Sequence, residues 1–228
     1  MNPFTPRTAA APPEPASSLA LSLALLLALT ALLAACAASS PAPVLLTLPP
    51  AAQTVATAPA MALAMAPATP SAAPASPLLA VRRISIPEYL VARRVRYRTD
   101  ASTLAEWPNT YWAERIEIGV SREFMSALRA QLPGWSMCDT SCGDQVPAHT
   151  LQVDLVPMDY LRSAQKLQAR ARITLSGAGV APQVIQTREL VYDLPAAADT
   201  AQAQAQTIAT LIQQVASETA PLIRTVKP

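Results

Sequence analysis

Glycine is scarce, with five residues in a chain of 228. A glycine-rich loop that cradles a phosphate therefore has little to be built from. No Gly-x-Ser-x-Gly elbow offers a nucleophilic serine. Histidine occurs once, at His149, with no Glu or Cys at ligand spacing. It reads as a surface residue in a loop at a strand edge, and the sequence predicts no metal centre. Asp154 and Asp159 are the best carboxylate pair, but five residues apart on a regular strand they face opposite ways, which excludes joint acid–base work. The sequence thus predicts no enzyme and no cofactor. The formal net charge is only +2, so the molecular field argues neither for nor against nucleic acid. No nucleic-acid-binding motif occurs, and no such partner is expected. No apolar run of spanning length follows Cys36.

What is present begins at the amino terminus. An apolar stretch runs from Leu19 to Leu33, behind a segment whose positive side chain is Arg7, partly offset by Glu14. It is short for a bilayer, which takes about 20 residues, and fits the core of an export signal. It ends in Leu33-Ala34-Ala35-Cys36, which resembles a lipobox. That resemblance implies diacylglyceryl transfer to the Cys36 sulfur, removal of residues 1–35 as a signal peptide, and acylation of the new amino terminus. Ala37 follows the cysteine in place of aspartate. In lipoproteins of diderm bacteria this implies release to the outer membrane, facing the periplasm. Two or three acyl chains anchor far more firmly than one.

Proline is abundant, 23 residues in all, many of them between Ser40 and Pro77. This uncharged Ala/Pro/Ser/Thr stretch cannot bury enough side-chain area to offset its ordering entropy. Residues 36–77 therefore read as lipidated cysteine plus semi-extended linker, with Val44–Leu48 as a candidate first strand. Residues 78–228, about 150, suffice for one domain with a core. Cys138 and Cys142 lie four apart. An oxidising periplasm favours a disulfide between them; free thiols and a redox or metal pair are the alternatives, although the spacing is not Cys-x-x-Cys.

Periodicity organises the domain. Leu79–Ile86 reads as a strand ended by Pro87, and Val91–Arg98 as a second, with Val95 and Tyr97 on one face and Arg94, Arg96 and Arg98 on the other. Thr103–Thr110, with Trp107-Pro108-Asn109, reads as a turn or short hairpin. Apolar residues from Ile116 to Leu128 recur every three or four positions, predicting an amphipathic helix over 113–132, stopped by Pro133-Gly134. Leu151–Leu155, Leu167–Leu175 and Val184–Tyr192 read as an antiparallel meander, because their connections are too short for parallel crossovers. Ser176-Gly177-Ala178-Gly179 supplies one turn. Asp199 or Thr200 can cap a long helix whose apolar stripe runs from Ile208 to Ile223. Its opposite face, Gln202, Gln204, Gln206, Gln213 and Gln214, is uncharged and reads as solvated, with a partner-facing surface as the alternative. The order places helices on a mixed, largely antiparallel sheet.

One charge feature stands out: Arg82, Arg83, Arg93, Arg94, Arg96 and Arg98 against the single acid Glu88. Forked guanidinium donors suit anionic lipid head groups, lipopolysaccharide or an acidic partner. The competing reading is a solvated strand face balanced by acids elsewhere in the fold.

Three segments in order carry a resemblance. They are Ile84-Ser85-Ile86-Pro87-Glu88-Tyr89-Leu90, Trp112-Ala113-Glu114 opening the first helix, and Leu151-Gln152-Val153-Asp154. With the lipobox and the terminal helix, they make the chain similar to the ABC-type transport auxiliary lipoprotein family, the PqiC/YmbA-like group. Val44–Leu48 lacks the tyrosines of that family's first strand. The resemblance implies a three-layer α/β domain with a mixed sheet, here of about five strands with two main helices. It implies a non-enzymatic place beside an ABC/MCE-type lipid transport system, docked to an MCE-type membrane protein and held to the membrane by its lipid. Pro87, Tyr89 and Trp112 match family positions, as structural or partner-contacting residues, and Arg93, Arg94, Arg96 and Arg98 are further candidate contacts. An outer-membrane integrity protein that binds anionic lipid, lipopolysaccharide or peptidoglycan through the arginine face is the alternative. Self-association is left open.

Overall fold

The computed structural model describes residues 41–50, 76–139, 142–177 and 183–226. The export signal, Cys36, Ala37 and most of the proline-rich linker lie outside the described residues, as do Ala178 and Gly179 of the expected turn. Pro43–Pro228 form the second of two units into which the chain divides.

Eight strands build one mixed sheet, where about five were expected. β1 is Val44–Leu46, β2 Leu78–Val81, β3 Arg94–Arg98 and β4 Leu104–Trp112. β5 is Ser136–Cys138, β6 His149–Leu161, β7 Lys166–Gly177 and β8 Val184–Pro195. β6, β7 and β8 form the expected antiparallel meander. On its other side β6 meets two shorter groups. Its first residues pair in parallel with β2, which pairs with β5. Its last residue, Leu161, pairs with Arg98 of β3, which continues through antiparallel β4 to parallel β1. Between the two groups Ser85 bridges to Asp154, and a single 3-10 turn follows at Glu88–Leu90.

Two local irregularities explain where periodicity misleads. Thr103–Thr110 is mostly strand rather than turn. The register from Arg94↔Tyr111 to Arg96↔Glu106 leaves several extra residues in β4, so Trp107-Pro108-Asn109 bulges out of the ladder. Pro108 needs no ladder donor there, and Asn109 takes φ 50°, a left-handed conformation that asparagine tolerates. The bulge turns Trp107 inward, to 7% exposure. In β6 the register passes from Leu155↔Ala171 to Met158↔Ala169. One inserted residue flips the side-chain phase, so Asp154 and Asp159 both alternate with buried residues on the same face, contrary to the expectation of opposite faces. Four register positions still separate them, about 13 Å at ~3.3 Å per residue.

α1 is Ile116–Gln131, three residues shorter at its start than periodicity suggests. Trp112 N–H donates to Arg93 O at 2.7 Å and Ala113 N–H to Leu46 O at 2.8 Å, so the sheet holds the chain until Glu114. α2 is Ala201–Arg224, with Thr200 as its cap. Thr200 Oγ1 accepts from Ala203 N at 3.1 Å, which satisfies one of the four orphan donors of a helix start.

The core is a single cluster in which Phe124, Leu128, Leu211 and Val215 of the helices are fully buried against Leu151, Leu155, Ala171 and Ile173 of β6 and β7. Each large aliphatic side chain buried there contributes about 1.5–3 kcal/mol. Alanines at 201, 205, 209, 216 and 220 on α2 are buried too, and their small size lets the helix lie close. Burial alternates strictly along β7, with Gln168, Arg170, Arg172 and Thr174 outside it. The helices therefore cover one face of the sheet and its other face is open. The described residues form two layers, helix on sheet, where three were expected. Gln204, expected on a solvated face, is 3% exposed and part of the core.

Candidate functional site

The open face of β3 carries the arginines in the alternation read from the sequence. Val95 is buried, whereas Arg94, Arg96 and Arg98 are exposed or half-buried. Antiparallel pairing brings Glu106 of β4 beside Arg96. Glu106 then serves two arginines, with Arg94 Nε 3.4 Å from Oε2 and Arg96 Nε 3.3 Å from Oε1. Arg96 Nη1 also donates to Tyr89 O at 2.9 Å, and the Arg94 guanidinium lies 5.2 Å over the Tyr111 ring. Parallel contact with β6 brings Asp159 to Arg98, Nε to Oδ2 at 3.1 Å. Tyr89 Oη donates to Asp159 Oδ1 at 2.7 Å, and Arg98 lies 5.5 Å over the Tyr89 ring. Burial, then the Asp159 hydrogen bond, pushes the Tyr89 phenol above its ordinary pKa. The Asp159 hydrogen bond raises that of Arg98.

Three arginines thus meet two carboxylates, and much of the apparent charge of this strand is spent inside the fold. Arg93 differs. It is exposed and shares with Val91, Trp112 and Arg115 the wall of a cavity of about 340 Å³. Of the remaining expected positions, Pro87 is buried and Tyr89 half-buried. Trp112 is 5% exposed and packs in the core. Cys138 and Cys142 are joined by a disulfide. His149 is not on the surface but is the buried first residue of β6, 5.9 Å from the Trp135 ring. No group of three His, Cys, Asp or Glu that could hold a metal ion occurs among the described residues.

Periodicity did not reveal a second polar cluster. The Arg162 guanidinium lies 4.2 Å over Trp107 and 4.9 Å over Tyr97, donates to Tyr97 Oη at 2.8 Å, and pairs with Asp199 at 2.9 Å. Beneath it, Trp107 Nε1 donates to Gln204 Oε1 at 2.7 Å, and Gln204 Nε2 donates to Arg96 O at 2.7 Å. These contacts tie the start of α2 to β3 and β4. They hold the face that presents Arg94, Arg96 and Arg98 on a rigid base. The signal for them was the Trp107-Pro108-Asn109 interruption, which only the bulge makes intelligible.

No helix among the described residues is long and apolar enough to cross a membrane. The family model described as the ABC-type transport auxiliary lipoprotein component matches residues 60–220. No curated protein matches the chain. Among solved structures, an uncharacterized protein superposes with TM-score 0.60 at 19% identity, covering 80% of this chain and 99% of the other. A DUF330-family protein from Xanthomonas campestris gives TM-score 0.49 at 17% identity over 64% of this chain and 85% of its own. A putative lipoprotein from Caulobacter crescentus gives 0.27 at 13% identity over 48% and 86%. The first of these supports the fold, and none supports more.

Proposed function

The chain belongs to the ABC-type transport auxiliary lipoprotein component family, and on that premise we propose that it is a lipid-anchored, non-enzymatic docking component of an ABC/MCE-type lipid transport system. The family match carries the reading, together with Leu33-Ala34-Ala35-Cys36. In this reading Cys36 holds the acyl chains, the anchor lies in the outer membrane because Ala37 follows the cysteine, and the domain faces the periplasm of a diderm bacterium. The partner is an MCE-type membrane protein. Pro87 and Trp112 hold backbone in place, and the exposed Arg93 is available for contact.

The position of β1 supports close anchoring. Val44–Leu46 is paired in the sheet, so residues 37–43 alone separate the cysteine from the fold. Seven residues reach about 25 Å at full stretch. The domain then sits within about its own diameter of the bilayer, where a docking part meets a machine that arrives at the membrane. Binding to lipopolysaccharide or peptidoglycan through the arginine face finds less support, because Glu106 and Asp159 engage three of its cations.

Recovery of the acylated mature protein from envelope extract in mild detergent tests the reading. Mass spectrometry should find subunits of an ABC transporter and an MCE-type protein with it. Recovery of the lipoprotein without any such subunit, from cells that express them, contradicts it.

A further inference from the structure

A second group of cations without an ion-pair partner among the described residues lies elsewhere. β2 ends at Val81, and the next two residues, Arg82 and Arg83, are both exposed. The backbone around them is pinned: Arg82 N–H donates to Leu151 O at 2.8 Å, Ile84 N–H to Ser121 Oγ at 3.0 Å, and Ser85 N–H to Val153 O at 3.1 Å. Two guanidinium groups therefore project from a fixed base beside α1. They line the same cavity as Arg129, whose Nη2 donates to Met125 Sδ at 3.0 Å. Among the described residues none of the three has a carboxylate in ion-pair distance. Arg122, on the same wall, is already paired with Glu114 and Glu123.

These groups rim a cavity of about 300 Å³ with an apolar side formed by Val81, Ile118 and Met125. Ile118 is 41% exposed although it sits among charged residues, and methionine adapts to irregular apolar shapes. A second cavity of about 580 Å³ shares Arg82, Arg83 and Asp139 and runs toward Cys142 and Pro147. Asp139 is the acid common to both linings.

The geometry points to a binding site for one anionic lipid, its phosphate on Arg82, Arg83 and Arg129 and the start of its acyl chain over Ile118 and Met125. Guanidinium forks suit phosphate oxygens. The volume falls at the low end of small-molecule sites, ~300–1,000 Å³, so it takes one chain or head group rather than a partner helix. A free anion would leave the apolar wall uncovered, and a neutral lipid would leave three cations unmatched. The inference rests on the transport reading for its meaning, as a cargo contact, but its test needs no transporter.

The test uses full-length protein in neutral detergent and a fluorescent-chain lysophosphatidylglycerol. Saturable binding of one lipid per chain is expected, at least tenfold weaker for Arg82→Gln/Arg83→Gln, and several-fold weaker for Arg129→Gln and for Ile118→Asn. Unchanged thermal melting checks that each variant is folded. Equal affinity for lysophosphatidylcholine, or wild-type binding by the double arginine variant, overturns the proposal. So does unchanged binding by Ile118→Asn, which would indicate surface charge alone, or displacement by inorganic phosphate as effective as by unlabelled lipid. A protein that binds lipid but recovers no transporter subunits contradicts the docking reading instead.

Discussion

Gln204 is the buried polar group on which the seating of α2 depends. Its side chain is 3% exposed, accepting from Trp107 Nε1 and donating to Arg96 O, each at 2.7 Å. Gln204→Leu keeps approximate size but leaves an indole N–H and a backbone carbonyl without partners in a dry region. Each orphaned group costs about 1–3 kcal/mol. The added apolar burial offsets about 1 kcal/mol of this, for a net loss of about 1–5 kcal/mol. Urea denaturation followed by far-UV circular dichroism should show a lowered midpoint with an unchanged slope. Trp107→Phe alone removes the indole donor and orphans Gln204 Oε1. In that background Gln204→Leu should cost about 1–2 kcal/mol less than in wild type, because one of the two orphans no longer exists. Additivity of the two changes within about 0.5 kcal/mol, or a Gln204→Leu protein as stable as wild type, would refute the bridge.

Asp159→Asn should destabilise by about 2 kcal/mol, since Asp159 and Arg98 side chains are only 13% and 19% exposed and the arginine is left without its acid. Glu106→Gln should cost under about 1 kcal/mol, because its partners are half in water; paired urea titrations separate the two. Tyr192→Phe should be neutral or stabilising by about 1 kcal/mol, as its buried hydroxyl has no hydrogen-bond partner. Burial pushes that phenol up to about 12, with Glu218 adding to the shift. The folded value lies above the unfolded one of about 10, so wild-type stability should fall as pH rises from about 10 through 12. The Phe variant should lose less over that range in alkaline melting curves. Cys138→Ser/Cys142→Ser should cost about 2 kcal/mol, the value expected for a five-residue loop, and reductant should lower the wild-type melting temperature to match.

Long periodic elements were legible because local residues decide them. Ile116, Val120 and Phe124 mark the buried side of α1, and Leu167 to Leu175 mark that of β7. Even the cap at Thr200 follows from its chemistry. Val44–Leu46 and Leu78–Val81, short parallel strands, also fall within segments whose apolar pattern marks them, but the shortest remaining one was not legible. β5 has three residues and exists because β2 lies beside it, a non-local condition that three residues cannot encode by pattern. The partners of the arginines were hidden for the same reason: Glu106 reaches Arg96, and Asp159 reaches Arg98, only through sheet register. Gln204 looked like one of five surface glutamines, and its burial depends on a bulge in β4. Arg82 and Arg83 stand out as charge in the sequence, but the fold sets them beside a cavity that Arg129 also lines rather than beside Arg94, Arg96 and Arg98. Arg129, which lines the same cavity, comes from a helix 46 positions further on (129 minus 83).

Anchoring at the membrane depends on the thiol at Cys36. Intact-mass and peptide analysis of the protein isolated from envelopes tests it directly. The expected result is a mature chain that starts at Cys36 and carries diacylglyceryl and acyl groups, and a Cys36→Ala protein that leaves the outer-membrane fraction. An unmodified Cys36, or a Cys36→Ala protein that still sediments with outer membranes, would contradict the anchored docking component.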